Sequence, residues 1–368
     1  MVLNNLKVSN FRNYDNLSIN FIDKINIIVG NNAIGKTNII EAIYTLALTK
    51  SFRPVSDSIL IKTNCLGFSI SGKTDKKNFS DELKIEYNGK IKKNYVNGKN
   101  TKMIDYIYNL NAIVFTPDDI ELIKGAPNIR RRYLNTEISQ IVPNYIKVLS
   151  DYNTLLKIRN DYIKKIRNHE IIDNNYLIIL EKYLIDKAVY IYKVRDKILK
   201  KITLLSSTIY EKTMEKDGFS INYKTSPHIS EFKDDVIKKE LENAFKIFKK
   251  EELSYGTTLF GPHKDDFEFL LKDQNLKLTG SQSQQKLAVL VFKLAEIELF
   301  FKQKKEYPLL LLDDIFSELD EKRKNNILLY LKKDIQTFIT TTDINDINDE
   351  IKQNANIINL GVDGIIEN

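Results

Sequence analysis

The sequence predicts an α/β fold in which a mixed sheet and an antiparallel β layer are interrupted by an inserted α-helical lobe. Three stretches carry that prediction. Ile25 to Glu41 reads INIIVGNNAIGKTNIIE, an apolar run, a glycine turn and an amphipathic segment. Tyr307 to Asp314 reads YPLLLLDD, a leucine run closed by two carboxylates. Between them, from Ile129 to Tyr210, Leu, Ile, Tyr and Lys recur at helical spacing.

A chain of 368 residues suits two or three domains, and 42% hydrophobic with 29% charged residues is ordinary globular composition. Its one cysteine, Cys65, excludes a disulfide framework and a four-thiolate zinc site, and fits a reducing cytoplasm. No stretch resembles a signal peptide or approaches a membrane span, so a cytoplasmic setting without a membrane partner is expected. The net charge of +7 favours a polyanionic partner. Much of that basicity is lysine in a chain rich in Ile and Asn, a signature of genome composition, so it weighs little alone.

Taken in order, residues 1–21 alternate apolar and polar around Leu6, Val8, Phe11, Leu17, Ile19 and Phe21, which predicts two paired strands. Gly30-x-x-x-x-Gly35-Lys36-Thr37 then ends one strand and opens a helix, the context a phosphate-binding loop requires. Gly30 and Gly35 let the backbone curl so that the amides across Asn31, Asn32, Ala33 and Ile34 face phosphate oxygens, and the helix N-terminus adds positive potential. Lys36 supplies a point charge between β- and γ-phosphates, and Thr37 offers a hydroxyl to Mg²⁺. The expected ligand is a nucleoside triphosphate. Arg12, in the turn Asn10 to Tyr14, reads either as a solvated turn residue or as a cation folded back onto those phosphates.

Strand-like segments follow at Ser58–Ile61, Gly67–Gly72, Leu83–Tyr87 and Lys92–Val96, with Asn88-Gly89 and Asn97-Gly98 as hairpin dipeptides of the type I′ kind. Asn111–Phe115 is a further strand. From Ile120 three or four long helices are expected, packed as a separate lobe. The triplet Arg130-Arg131-Arg132 opens that lobe, with at least one of the three read as a salt-bridged or solvated helix residue. Phe219, Ile221 and Tyr223 return to strand character, and 234–250 is a charged helix. Gly261 to Asp266 is a turn ahead of the alternating Phe267–Leu271. His263 has no companions that would form a metal set. The domain expectation is therefore 1–119 and 251–368 as two parts of one lobe, with 120–250 inserted.

The leucine run after Pro308 suits a strand buried on both faces of a parallel sheet. Asp313 then emerges at the strand's C-terminal edge, where ligands bind, and holds Mg²⁺ as a Walker B acid. Asp314 is placed to polarise an attacking water. Upstream, Leu278 to Leu287 is a polar Ser/Gln-rich start to an apolar helix. Downstream come Ser317-Glu318-Leu319-Asp320 and a strand, Thr337–Ile339, running into Thr340-Thr341-Thr342-Asp343.

That order resembles the ABC-type ATPases, whose P-loop ATPase head would be the fold. In that resemblance Ser281 belongs to the signature motif, which grips the γ-phosphate held by a second copy and makes Ser281 a catalytic candidate with Lys36 and Asp314. The match narrows at Phe11-Arg12-Asn13-Tyr14, Asn32-x-x-Gly35-Lys36-Thr37-Asn38, Leu122-x-Lys124-Gly125-x-Pro127-x-x-Arg130-Arg131, Gly261-Pro262-His263-x-Asp265-Asp266 and Asp313-Asp314-x-x-Ser317-Glu318-Leu319-Asp320. Together these resemble the RecF family of bacterial DNA replication and repair proteins, essentially end to end. The resemblance implies ATP and Mg²⁺ as cofactors, with Arg12, Asn13 and Asn38 joining residues 30–37 at the nucleotide. It implies DNA, double-stranded or at single/double-strand junctions, RecR- and RecO-type partners, and a homodimer closed by ATP at gaps or stalled forks to help load a recombinase.

Three departures bear on hydrolysis. Ser283 stands where signatures usually carry glycine, Gln282 and Lys286 where arginine is common, and Thr342 where ABC transporters place a switch histidine. Q-loop glutamine is not assigned. A transporter ATPase subunit would need that histidine. An SMC-like DNA protein would need a long coiled-coil arm, and a GTPase an Asn-Lys-x-Asp motif. An ATP-binding subunit of another ABC-type machine is the alternative function.

Overall fold

A computed structural model describes residues 1–76, 79–170, 175–214, 218–316, 334–361 and 364–366. The chain divides into two compact units, 1–119 with 300–368, and 120–299. The sequence expectation put the second division at 250/251. It falls at 299/300 because the strand Phe219–Lys224 pairs along its length with Asp266–Leu271, tying the later segment to the helical one.

The first unit begins with an antiparallel sheet of β1 (Val2–Leu3), β2 (Asn5–Phe11), β3 (Tyr14–Asn20), β5 (Phe68–Lys76), β6 (Phe79–Tyr87), β7 (Lys92–Val96) and β8 (Lys99–Thr101). Alternation decides its faces: Leu6, Val8, Phe68, Ile70, Leu83 and Ile85 are buried while their neighbours point outward. Asn97 and Gly98, both at positive φ, form the two-residue loop joining β7 to β8. Asn88-Gly89 differs. Tyr87 pairs with Lys92, leaving a longer loop in which the Asn88 side chain accepts from the amides of Lys90 and Ile91. The strand expected at Ser58–Ile61 is a 3₁₀ turn, Asp57–Leu60, because the Arg12 amide takes the Leu60 carbonyl at 2.8 Å and the Ile61 amide bonds back to Ser58.

The second sheet of this unit holds β4 (Ile25–Val29), β9 (Ala112–Phe115), β13 (Leu309–Asp313), β14 (Thr337–Thr341), β15 (Ala355–Gly361) and β16 (Gly364–Ile366), in the order β16-β15-β4-β14-β13-β9. All neighbours are parallel except β15 and β16. Leu309 to Leu312 and Phe338 and Ile339 are fully buried, as a sheet covered on both faces demands. Helix α1 (Lys36–Leu48) covers one face with Ile39, Ile40, Ile43 and Leu46. Gln336 fastens the base: it accepts from the Leu3 amide at 2.7 Å and donates to the carbonyls of Leu3 and Ile22.

The second unit holds three long helices, α2 (Pro127–Ile141), α3 (Tyr145–Arg167) and α4 (Asn175–Met214), then β10 (Phe219–Lys224), α5 (Asp234–Ile247), α6 (Lys249–Tyr255), β11 (Asp266–Leu271), β12 (Gln274–Asn275) and most of α7 (Gln282–Lys304). Phe219, Phe267, Phe269 and Phe292 pack ring to ring in its core. Beside them lies a buried charge network. Arg195 on α4 donates to Asp265 at 2.8 Å, to the Pro262 carbonyl and to Asn135, and Tyr223 and the Ser226 amide also donate to Asp265. Arg130 forks onto both oxygens of Asp266, and Arg131 donates to the Asp265 carbonyl. Two of the three arginines are thus structural, and the Gly261–Asp266 motif is their anchor.

His263 in that motif takes a 2.7 Å bond with the Tyr152 hydroxyl, and burial pushes its ring down to about 4. The unfolded chain, near 6.5, therefore binds a proton between pH 6.5 and 4 that the folded chain refuses. Stability falls as pH drops through that window, by on the order of 2–3 kcal/mol below it. Thermal unfolding measured at pH 7, 5.5 and 4.5 should show this slope, and His263→Gln should flatten it.

Candidate functional site

β4 ends at Val29 and the chain turns at once, with the Gly30 amide donating to Thr341 at the end of β14. Gly35 sits at φ 114, which glycine adopts without strain, and a Cβ there would lie 2.6 Å from both Asn13 Nδ2 and the Tyr14 hydroxyl. Ala33, at φ 65, completes the curl. The amides of Lys36 and Thr37 open α1 and have no carbonyl a turn back. They are free to meet an anion at a helix N-terminus.

Lys36 is 7% exposed and folds into the loop, its Nζ donating to the carbonyls of Gly30 at 2.7 Å and Asn31 at 3.0 Å. Burial pushes its ammonium down, and Asp314 and Asp313 oppose that. Asp313 is 5% exposed. Its Oδ1 accepts from the Thr37 hydroxyl at 3.0 Å and from the Thr340 hydroxyl at 2.8 Å. Burial pushes the Asp313 carboxyl up, against those two bonds. A hydroxyl and a carboxylate meeting this way suit Mg²⁺, which takes one or two protein oxygens and completes its shell with phosphate and water. Among the described residues no set of three or more His, Cys, Asp and Glu would hold a metal by itself. The donor set fits a nucleotide-borne Mg²⁺ rather than a resident ion.

Asp314 follows at φ 52, its amide donating to Thr340 Oγ1 at 2.9 Å. That bond turns the chain off the sheet edge directly after Asp313. Thr340 therefore serves both aspartates, a role sequence reading missed although the polar end of its strand was evident.

Arg12 is not the solvated turn residue of its first reading. Its guanidinium forks onto buried Glu41 of α1 at 2.7 and 2.8 Å and donates to the Ile59 carbonyl. Ser51 also donates to Glu41, at 2.5 Å, and Arg53 stands 3.8 Å away. Asn13 and Asn38 bond to each other at 2.7 Å, and Asn13 donates to the Ile34 carbonyl at 3.1 Å. Of these two residues expected at the nucleotide, Asn13 thus bonds to the glycine loop directly and Asn38 through Asn13. Glu41 carried no signal in the sequence, since a glutamate on an amphipathic helix reads as solvated.

Ser281 belongs to the other unit, at the start of α7. Its hydroxyl accepts from the Gln284 amide at 3.2 Å, while the Gln284 side chain accepts from the Ser281 amide at 2.8 Å. That is a capping box, so Ser281 terminates its own helix. The Ser317–Asp320 motif lies outside the described residues.

Residues 2–359 match the family described as the RecF/RecN/SMC N terminal domain. The chain is 38% identical over 363 residues to a DNA replication and repair protein RecF from Bacillus cereus (strain G9842), covering 98% of this chain and 97% of that one. It is equally similar, over the same shares, to the RecF of Bacillus anthracis (strain CDC 684 / NRRL 3495). Among solved structures it resembles one described as the recombination mediator protein RecF-ATP in the RecFOR pathway, with TM-score 0.92, 32% identity, and 99% and 96% of the two chains covered. An Smc head domain from Pyrococcus furiosus, with TM-score 0.52 and 18% identity over 98% of this chain and 93% of that one, shares the fold alone. No helix among the described residues is long and apolar enough to cross a membrane.

Proposed function

Because the chain belongs to the RecF family of DNA replication and repair proteins, we propose that it is an ATP-switched DNA-binding protein of recombinational repair and replication restart. ATP closes two copies on DNA at gaps or stalled forks, RecO- and RecR-type proteins join them there to help load a recombinase, and slow hydrolysis releases them. The observation that carries this reading is the meeting of Thr37 and Asp313 beside a lysine folded into the glycine loop. The loop amides between Asn31 and Thr37 and the Lys36 ammonium hold the phosphates. Thr37 and Asp313 hold Mg²⁺, which neutralises charge on the β- and γ-phosphates when bound. Asn13 acts on the nucleotide through the loop it bonds to, and Arg12 through Glu41 of α1, the helix that the loop opens. Ser281 and its helix start meet the γ-phosphate of the second copy.

The test is retention on gapped, duplex and single-stranded oligonucleotides, with and without ATP, across a salt series. Binding should require ATP and should fall steeply with salt, since lysine charges meeting phosphates release counterions. ATP-independent binding, or affinity indifferent to salt, would overturn the reading.

Hydrolysis is slow in this proposal. Asp314 is one methylene shorter than the glutamate of fast ABC ATPases, a retreat of about 1.5 Å, and misplacement on the order of 1 Å costs roughly 10²-fold in rate. Asp314→Asn should therefore lengthen the life of the ATP-bound dimer on DNA without weakening ATP affinity. Crosslinking after an ATP chase measures that lifetime. Turnover of many ATP per second by the unmodified protein would contradict it.

A further inference from the structure

A cavity of about 310 Å³ opens in the first unit among Lys76, Phe79, Tyr108, Asn111, Lys304 and Glu306. Nothing in the ATP chemistry uses it. Lys304, the last residue of α7, donates to Asn111 Oδ1 at 3.1 Å and lies 5.1 and 5.2 Å from the ring centres of Tyr108 and Phe300. Among the described residues no carboxylate reaches it as an ion-pair partner, and Glu306 acts only from farther off. Lys76 enters the same cavity. Its contacts are long, 3.4 Å to the Tyr108 carbonyl and to Asn109 Oδ1, and 3.9 Å to Asp81.

A lysine placed there has lost water and gained no full counter-charge. Burial pushes Lys304 down to about 8, and the neighbouring Lys76 pushes it the same way. Lys76 is lowered by burial too, but Asp81 and Glu306 hold it up. The cavity therefore sets the Lys304 amine, with aromatic faces around it, beside the Lys76 ammonium, whose charge Asp81 and Glu306 favour. That pairing suits an electrophile carrying its own anionic leaving group.

We propose that Lys304 is an acyl-acceptor amine, modified by small acyl phosphates whose phosphate end is held by Lys76. The Nζ lone pair forms a bond to the acyl carbon, and the carbon–oxygen bond to phosphate breaks. Phosphate departs with that electron pair, and the surplus amine proton passes to phosphate or water. One acyl phosphate and one amine give one amide and one inorganic phosphate, without an oxidant or reductant. Near pH 7 an amine of this kind is neutral roughly 300 times more often than an ordinary lysine. Its lower intrinsic nucleophilicity takes back part of that gain.

The experiment treats the full-length protein with acetyl phosphate at pH 7.5 and reads acetylation site by site by peptide mass spectrometry. Lys304 should label roughly 10-fold faster than the median lysine, and added inorganic phosphate should slow labelling at Lys304 selectively. A neutral donor, an N-hydroxysuccinimide ester, should also favour Lys304 but be indifferent to added phosphate. Lys76→Met should depress labelling by acetyl phosphate more than labelling by the ester, and Lys76→Arg should restore the former. Labelling at Lys304 no faster than at other lysines overturns the acceptor assignment. Equal responses of the two donors to phosphate and to Lys76→Met overturn the role of Lys76. Should Lys76→Met fail to fold, phosphate competition on the unaltered protein still decides.

Discussion

Lys36→Ala is expected to abolish ATP-dependent retention on DNA while the fold survives. Among the described residues the Lys36 ammonium bonds to the carbonyls of Gly30 and Asn31, both inside the glycine loop, so its removal breaks no hydrogen bond outside that loop. That ammonium is folded within the curl that phosphates would enter. Losing charge-assisted bonds to phosphate costs about 3 kcal/mol, more than 100-fold in ATP affinity. Lys36→Arg keeps the charge but not the compact point geometry, and should bind ATP while misplacing its γ-phosphate. Calorimetric ATP titration beside a thermal melt separates the outcomes. Unchanged affinity in Lys36→Ala would mean that phosphates bind elsewhere.

Asp265→Ala should be the more damaging change to the fold. Asp265 and Arg195 are both almost wholly buried, and two further groups depend on that carboxylate: the Tyr223 hydroxyl and the Ser226 amide. Burial pushes the Asp265 carboxyl up, with Arg195 as the largest opposing influence. Removing it strands a guanidinium that cannot deprotonate, which costs about 3–5 kcal/mol. The double variant Arg195→Met with Asp265→Leu removes both charges and should recover a large part of that loss. Urea unfolding followed by circular dichroism gives the comparison. A loss under about 1 kcal/mol in the single variant would show that water reaches Arg195.

The geometry of the candidate site was legible because its signals are local. Gly30, Gly35, Lys36 and Thr37 lie within one turn, and the leucine run ending at Asp313 announces a buried strand by composition alone. What escaped was pairing across long separations. Glu41 drew no reading of its own and is the buried receiver of Arg12. Asp265 and Asp266 looked like a turn and are the anchors of Arg195 and Arg130. Thr340 looked like the end of a strand and serves both aspartates. A charged residue's burial depends on which partner the fold delivers, and spacing along the chain says nothing of that. Domain limits suffered likewise, since β10 and β11 join segments that composition had separated.

The parallel sheet sets an order on biosynthesis. β4 leaves the ribosome early, yet its only neighbours, β14 and β15, are encoded about 300 residues later. At roughly 5–20 residues per second, that strand waits some 15–60 seconds with Ile25, Ile27 and Ile28 unsheltered and both edges open. The unit spanning 120–299 emerges whole in the meantime. The nascent chain thus completes its inserted part before the part that encloses it, and a stall anywhere before residue 337 leaves the glycine loop attached to a strand with no sheet.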